Sequence, residues 1–251
     1  MRRLAPLALL LLAGCAGGPG GPLGGGRGRA GPPLAPAAQP TSVIATELAF
    51  ARAAREEGQW AAYRRFAAPG AQIQADGAPV SAENWLAGRT NPPAADRWVP
   101  RQAWSSCDGS AVVVTGISAD ADGNWSRFTR VWERQQRGEF RWVYTRSAPD
   151  ADLTRTRQEN EQERAADEAS GDAILVEAGN FIRARVADCS APPAGEDPIA
   201  AAGSATGTSR DRTLRWSVDG SQGQAGGLVA YSWNGTGWDP VDAEGAASEA
   251  G

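Results

Sequence analysis

Between residues 98 and 146 the apolar residues recur with a period of two, a pattern that a helix cannot place on one face. Trp98 to Ser106, Ala111 to Gly116, Trp125 to Arg134 and Glu139 to Arg146 are each rich in aromatic and β-branched side chains, as strands are. Their links are short and built of turn formers: Asp108-Gly109, the run Asp120 to Gly123, and Arg137-Gly138. Such links suit antiparallel hairpins. Upstream the period is helical. Thr41 and Ser42 precede Val43, Ile44, Leu48 and Ala51, an apolar face that Gly58 would close. A second short helix runs from Gln59 to about Ala67, carries Trp60, Tyr63 and Phe66, and ends at Pro69-Gly70. After an extended piece at Ala71 to Gln74, Ser81 reads as the cap of a third helix, with Glu83 in its first turn and Trp85 and Leu86 on its buried side. Helices followed by a meander predict an α+β domain over residues 42–147, with about three helices packed on one face of a curved antiparallel sheet.

The flanking segments differ in character. Residues 148–172 are polar and strongly charged and read as a solvated helix or linker. Beyond them Ile182, Ala184 and Val186 alternate with arginines, Leu214, Trp216 and Val218 alternate with polar residues, and Leu228 to Trp233 ends at Asn234-Gly235. These runs predict a small antiparallel β appendage over residues 173–241, followed by a disordered Gly/Ala tail over 242–251.

At the other end, Arg2 and Arg3 precede an apolar run from Leu4 to Leu12 that is too short to span a bilayer, and small residues lead to Cys15. Leu12-Ala13-Gly14-Cys15 resembles the lipobox of bacterial lipoproteins. That resemblance implies a signal peptide over residues 1–14, a diacylglyceryl group on Cys15 and attachment to a membrane through that lipid. Ala16 stands where an aspartate would favour retention in the inner membrane, so the expected site is the periplasmic face of the outer membrane. Residues 15–41 are mostly Gly, Ala and Pro and read as a flexible tether.

Composition narrows the chemistry. The chain has no histidine and no lysine, so every basic side chain is arginine. Ser-His and Cys-His nucleophiles are excluded, together with most zinc sites, and no cofactor or metal is expected. A formal net charge of −4, more negative once Arg2 and Arg3 are removed, argues against a nucleic-acid partner. The run Ser118, Asp120, Asp122, Gly123 and Asn124 has the alternating oxygens of a calcium loop, but Thr129 stands where the bidentate Glu belongs. A hairpin turn accounts for it better.

The order helix, helix, strand, helix and four antiparallel strands resembles the nuclear transport factor two-like superfamily, which includes SnoaL-like polyketide cyclases and ketosteroid isomerases. The residues that carry the resemblance are Glu47 to Phe66, Phe128-Thr129-Arg130-Val131-Trp132-Glu133-Arg134 and Phe140-Arg141-Trp142-Val143-Tyr144. It implies a cone whose sheet curls around a pocket closed by helices. In such a cone, alternation puts Phe140, Trp142, Tyr144 and Arg146 on one face of the last strand, and Phe128, Arg130 and Trp132 on one face of its neighbour. With Trp85, Trp98 and Trp104 these are the expected ligand-binding residues. Catalytic relatives carry histidine on the last strand or an aspartate base with oxyanion donors. Here the strands offer no carboxylate but Glu133, on the opposite face from Trp132, and Asp76 is the one candidate base, with Tyr144 as its oxyanion donor. Three readings follow: a non-catalytic domain that holds a small apolar or amphipathic ligand or a protein partner, a lyase or isomerase of the ketosteroid type, and a scaffold whose pocket is filled by aromatic side chains. The ten tryptophans fit a stacking surface, but in a domain with few Leu, Ile and Met a core is the simpler reading.

Two cysteines remain besides Cys15. Cys107 and Cys189 both end expected strands and, in an oxidising compartment, either pair with each other or stay as two separate buried thiols. Pairing is the expectation, and it would tie the appendage to the main domain.

Overall fold

The computed structural model describes residues 38–170, 181–199, 205–218 and 227–241. The signal peptide, Cys15, nearly all of the tether and the 242–251 tail lie outside the described residues. Helix α1 (Pro40–Glu57) starts at a proline, whose missing N–H costs nothing in a first turn, and the Ser42 hydroxyl donates to the Gln39 carbonyl rather than capping the helix. Its buried face is Val43, Glu47, Phe50, Ala51 and Ala54, whereas Leu48, expected inside, is 52% exposed. The face is therefore rotated from the purely apolar one and takes in an acid. Helix α2 (Gln59–Phe66) borrows its cap from a distant loop: the Asn91 Oδ1 accepts from the Trp60 and Ala61 N–H groups.

The extended piece after α2 is a hairpin, β1 (Ala67–Ala75) and β2 (Ala78–Ser81), turned at Asp76 and Gly77, which both have positive φ. Ser81 caps the short α3 (Ala82–Leu86), its hydroxyl accepting from the Asn84 N–H. The meander follows as β3 (Arg97–Ser105), β4 (Ala111–Ala119), β5 (Trp125–Arg134) and β6 (Phe140–Pro149), paired antiparallel in sequence. β1 joins the far side of β6 in parallel. Helix α4 (Ala151–Ser170) then runs off the sheet, its first turn held by the Asp150 carboxylate, which accepts from the Leu153 N–H at 2.8 Å and pairs with Arg127.

The Ile182 to Val186 run does not belong to the appendage. As β7 (Arg183–Val186) it lies parallel to β3 and ends the large sheet, whose order is β2-β1-β6-β5-β4-β3-β7. The second sheet has four strands, β8 (Ala205–Thr208), β9 (Leu214–Val218), β10 (Leu228–Trp233) and β11 (Trp238–Pro240). Two of them, β8 and β11, are too short and polar for alternation to reveal.

The result is a mixed α+β architecture with a large curved sheet and few helices. The sheet is covered on both faces. Phe50, Leu86, Trp98, Val112, Val114, Trp132 and Trp142 form one core beneath the helices. Val113, Val131, Tyr144, Leu214, Trp216 and Leu228 form another between the two sheets. Every residue of β4 is buried, which explains its unbroken run AVVV where a half-exposed strand would alternate. Gly116 sits where a Cβ would meet the Val99 carbonyl and the Phe128 ring, so the β3 bulge between Pro100 and Gln102 closes over it.

Cys107 and Cys189 form a disulfide, their Cα atoms 5.5 Å apart across 82 residues of sequence. The same corner carries hydrogen bonds from the Cys107 N–H to the Thr213 hydroxyl and from the Asp108 N–H to the Asp211 carboxylate. Replacing both cysteines by alanine is expected to lower the unfolding free energy by about 4 kcal/mol, the chain-entropy value for a loop of this length. Urea denaturation of oxidised wild type against the double variant measures it, and an unchanged midpoint would contradict the role given to the bond.

Candidate functional site

The buried face of α1 carries Glu47 into the core beneath the helices, where it is fully shielded from solvent. A carboxylate there needs partners, and β5 supplies them. Arg130, 1% exposed, forms an ion pair with one Glu47 oxygen, and the Trp132 indole N–H donates to the other at 2.7 Å. The Trp98 indole N–H also acts on this carboxylate without closing a hydrogen bond of normal geometry. Arg130 in turn donates through Nε to the Thr145 hydroxyl at 3.2 Å and weakly to the Tyr63 hydroxyl at 3.4 Å. Its guanidinium lies 4.6 Å from the Phe50 ring centroid and 5.1 Å from that of Phe128, with Tyr63, Trp98 and Trp132 completing an aromatic box. Burial pushes the Glu47 carboxyl upward from its ordinary value, against the opposing pull of Arg130 and Trp132.

Above this pair lies a cavity of about 180 Å³. Helices α2 and α3 contribute Gln59, Trp60, Tyr63 and Trp85 to its walls. The large sheet contributes Trp98, Ser118, Phe128 and Arg130 on one side, and Ile73, Gln74, Thr145, Arg146 and Ser147 on the other. Trp60 and Trp85 meet edge to face at 5.2 Å, and the Arg89 guanidinium stacks on Trp85 at 3.6 Å. Asp96, just before β3, is the carboxylate of the wall. It exchanges two hydrogen bonds with Gln59, the Gln59 amide donating to its carboxylate at 3.1 Å and its own N–H donating to the Gln59 oxygen at 2.8 Å. Burial raises the Asp96 pKa, the Gln59 amide opposes, and the charge of Asp120 raises it further.

The structure brings together only part of the expected set. Trp85, Trp98, Phe128, Arg130 and Arg146 border the cavity. Trp132 and Trp142 are buried to their last atoms in the helix-side core, and Trp104 packs toward the other face, its indole on Gln102 and Arg185 over its ring. Tyr144 also departs from expectation. Register along β5 and β6 jumps between Val131 and Trp132, so Val143 is the extra residue of a bulge. Trp142 therefore faces the helices while Tyr144 faces the second sheet, donating to Gln74 at 3.1 Å, and burial pushes its phenol up to about 12. The charge of Arg146 acts on that phenol, and Thr145 holds the inner position with its hydroxyl on Arg130. Asp76 stands exposed in the β1–β2 turn with φ +50° and does not border the cavity, so it and Tyr144 do not form a base and donor pair. The Asp120 carboxylate turns onto its own hairpin, accepting from the N–H groups of Asp122 and Asn124.

Glu47, Gln59, Tyr63 and Asp96 were not foreseen. The signals were present: Val43, Glu47, Phe50 and Ala54 share helical spacing, and Asp96 lies two residues before Trp98, at the entry to an expected strand.

No family model matches the sequence, and a search of curated proteins found no relative. Among solved structures, a ketosteroid isomerase-like protein of Shewanella frigidimarina is similar over 43% of this chain and 95% of its own, at 18% identity and a TM-score of 0.31.

Removing the Glu47 carboxylate alone, as Glu47→Leu, leaves a guanidinium buried without its counter-ion and is expected to cost about 3–5 kcal/mol. The double variant Glu47→Leu, Arg130→Met should recover most of that loss. Urea unfolding of the two variants decides, and a double variant no more stable than the single one would contradict the pairing.

Proposed function

We propose that this chain is a lipid-anchored envelope protein, attached through Cys15, whose main domain is of the nuclear transport factor two-like, SnoaL-like kind and holds a small amphipathic ligand without transforming it. The observation that carries the reading is the cavity itself: aromatic walls, a few convergent polar groups, and a floor whose one ion pair is satisfied internally. An engineered apolar cavity of about 150 Å³ admits benzene, so 180 Å³ suits a body of about one ring with a short polar arm. Two groups that could do acid or base work inside, Glu47 and Tyr63, are engaged in the core. Glu47 is held by Arg130 and Trp132, and the Tyr63 phenol is pushed upward by burial, with Arg130 pulling the other way. The element order supports the fold reading, with two helices, a hairpin, a third helix and a four-stranded meander closed by β1 in parallel with β6. The lipobox text at Leu12 to Cys15 supports the anchor, the tether and a place on the periplasmic face of the outer membrane.

A second reading rests on Asp96. A carboxyl of raised proton affinity in a cavity wall is the kind of group a lyase or isomerase uses as a base, so slow proton abstraction from a ligand by Asp96 is the enzymatic alternative. Deuterium exchange into a bound ketone, abolished by Asp96→Asn, would favour it over simple binding.

Filling the cavity tests the main reading. Ser118 is buried and borders the space from β4, and Ser118→Leu should occupy it while the fold persists. Titration with phenol, 2-phenylethanol, phenethylamine and 3-phenylpropionate should give a saturable change in tryptophan fluorescence with at least one solute, lost in Ser118→Leu at unchanged circular dichroism. No saturable response, or one that survives the substitution, would contradict it. For the anchor, intact-mass measurement of membrane-extracted protein should show an acylated chain starting at Cys15. An unacylated soluble form, unaffected by Cys15→Ser, would refute it.

A further inference from the structure

We propose that the cavity selects a small organic cation, an amine or quaternary ammonium on an apolar body of about one ring, with Asp96 as its counter-ion. The inference rests on the reading of the cavity as a ligand site and names the ligand's charge. Three charged residues border the space: Asp96, Arg130 and Arg146. Arg130 is neutralised by Glu47, so it offers a ligand little net field. Arg146 borders the cavity from β6, beside Thr145 and Ser147, and its charge also acts on the Tyr144 phenol. Asp96 is different. Its carboxylate is bonded to the neutral amide of Gln59, and no arginine among the described residues forms an ion pair with it. The other charge that acts on it is a second carboxylate, Asp120. Asp96 is thus a carboxylate in the cavity wall with no ion-pair partner among the described residues, close to indole and phenol rings.

Those rings favour a cation for their own reason, since an aromatic face is the negative part of its quadrupole. The molecule already uses this attraction twice around the space: Arg130 sits in the box of Phe50, Tyr63, Trp98 and Phe128 below, and Arg89 lies on the outside of Trp85 at the top. Between them, Trp60 and Tyr63 stand edge to face beside Asp96's partner Gln59. A primary or quaternary ammonium there would meet a carboxylate and ring faces together, while its apolar body would lie on Ile73 and Phe128. An anion seated at the same place would meet the Asp96 carboxylate, while Arg130 is already neutralised by Glu47.

Three near-isosteres distinguish the possibilities on the unmodified chain: phenethylamine, 2-phenylethanol and 3-phenylpropionate, titrated at pH 7 by calorimetry and tryptophan fluorescence. Phenethylamine should bind at least tenfold more tightly than the alcohol, and the carboxylate should bind weakest. In Asp96→Asn, which keeps the shape and the Gln59 contacts, the preference for the amine over the alcohol should collapse to within about twofold. Equal binding of amine and alcohol to the wild type, tighter binding of the carboxylate, or a preference that survives in Asp96→Asn would overturn the cation selectivity and leave the ligand site standing. Absence of binding by all three would overturn both. The comparison of ligands on the wild type stands whatever the stability of the variant.

Discussion

The ion pair between Glu47 and Arg130 is the interaction on which the helix-side core depends. It joins the middle of α1 to the middle of β5, so it sets the height at which the first helix rests on the sheet. A buried pair gains little over well-packed apolar residues, and its value is more often that one geometry alone satisfies it. Here the geometry is demanding. Trp132 must donate to one Glu47 oxygen while Arg130 pairs with the other, and Arg130 must also reach Thr145 on β6. Helix, central strand and neighbouring strand are fixed together.

The cavity lies directly above that arrangement. The arginine holds Phe50, Tyr63, Trp98 and Phe128 around itself, and Phe50 also packs on Tyr63 and Trp98, at ring-centroid distances of 5.0 and 4.9 Å. The space left above them is roofed by Trp60 and Trp85, which the Asn91 cap on α2 and the Arg64 contact with the Leu86 carbonyl hold in place. On the other face the second sheet and the disulfide stiffen β3 and β4. Covering both faces keeps the sheet from relaxing into the cavity, and leaves β4 one of the most constrained elements of the molecule.

How much of this can be read from sequence depends on the range of the interactions involved. The meander was legible because each hairpin is local: alternation, β-branched residues and a turn dipeptide lie within twenty residues of one another. The disulfide was legible because two cysteines leave one pairing. The β6 bulge was not, since alternation assumes a constant period and nothing about Val143 marks it as the residue that breaks it. That single residue moved Tyr144 away from the helix side. β7 escaped for a related reason, as RARV reads the same whether it joins one sheet or the other. Glu47 was not foreseen because nothing in a helix marks one acid as buried until its partner is known, and Arg130 lies 83 residues away. The aromatic composition was informative in both senses, with Trp132 and Trp142 serving as core while Trp60, Trp85 and Trp98 serve as wall.

The claim that a closed Glu47–Arg130 pair organises this core can be tested through its own protons. Hydrogen exchange followed by ¹H–¹⁵N spectra between pH 5 and 8 reports directly on the Arg130 Nε–H and the Trp132 indole N–H. The account predicts that both are protected many-fold relative to the exposed Arg155, and that they exchange at a common rate because one opening event releases them together. Exchange of Arg130 as fast as that of Arg155, or strong protection of Trp132 alone, would show that the pair does not hold the helix to the sheet.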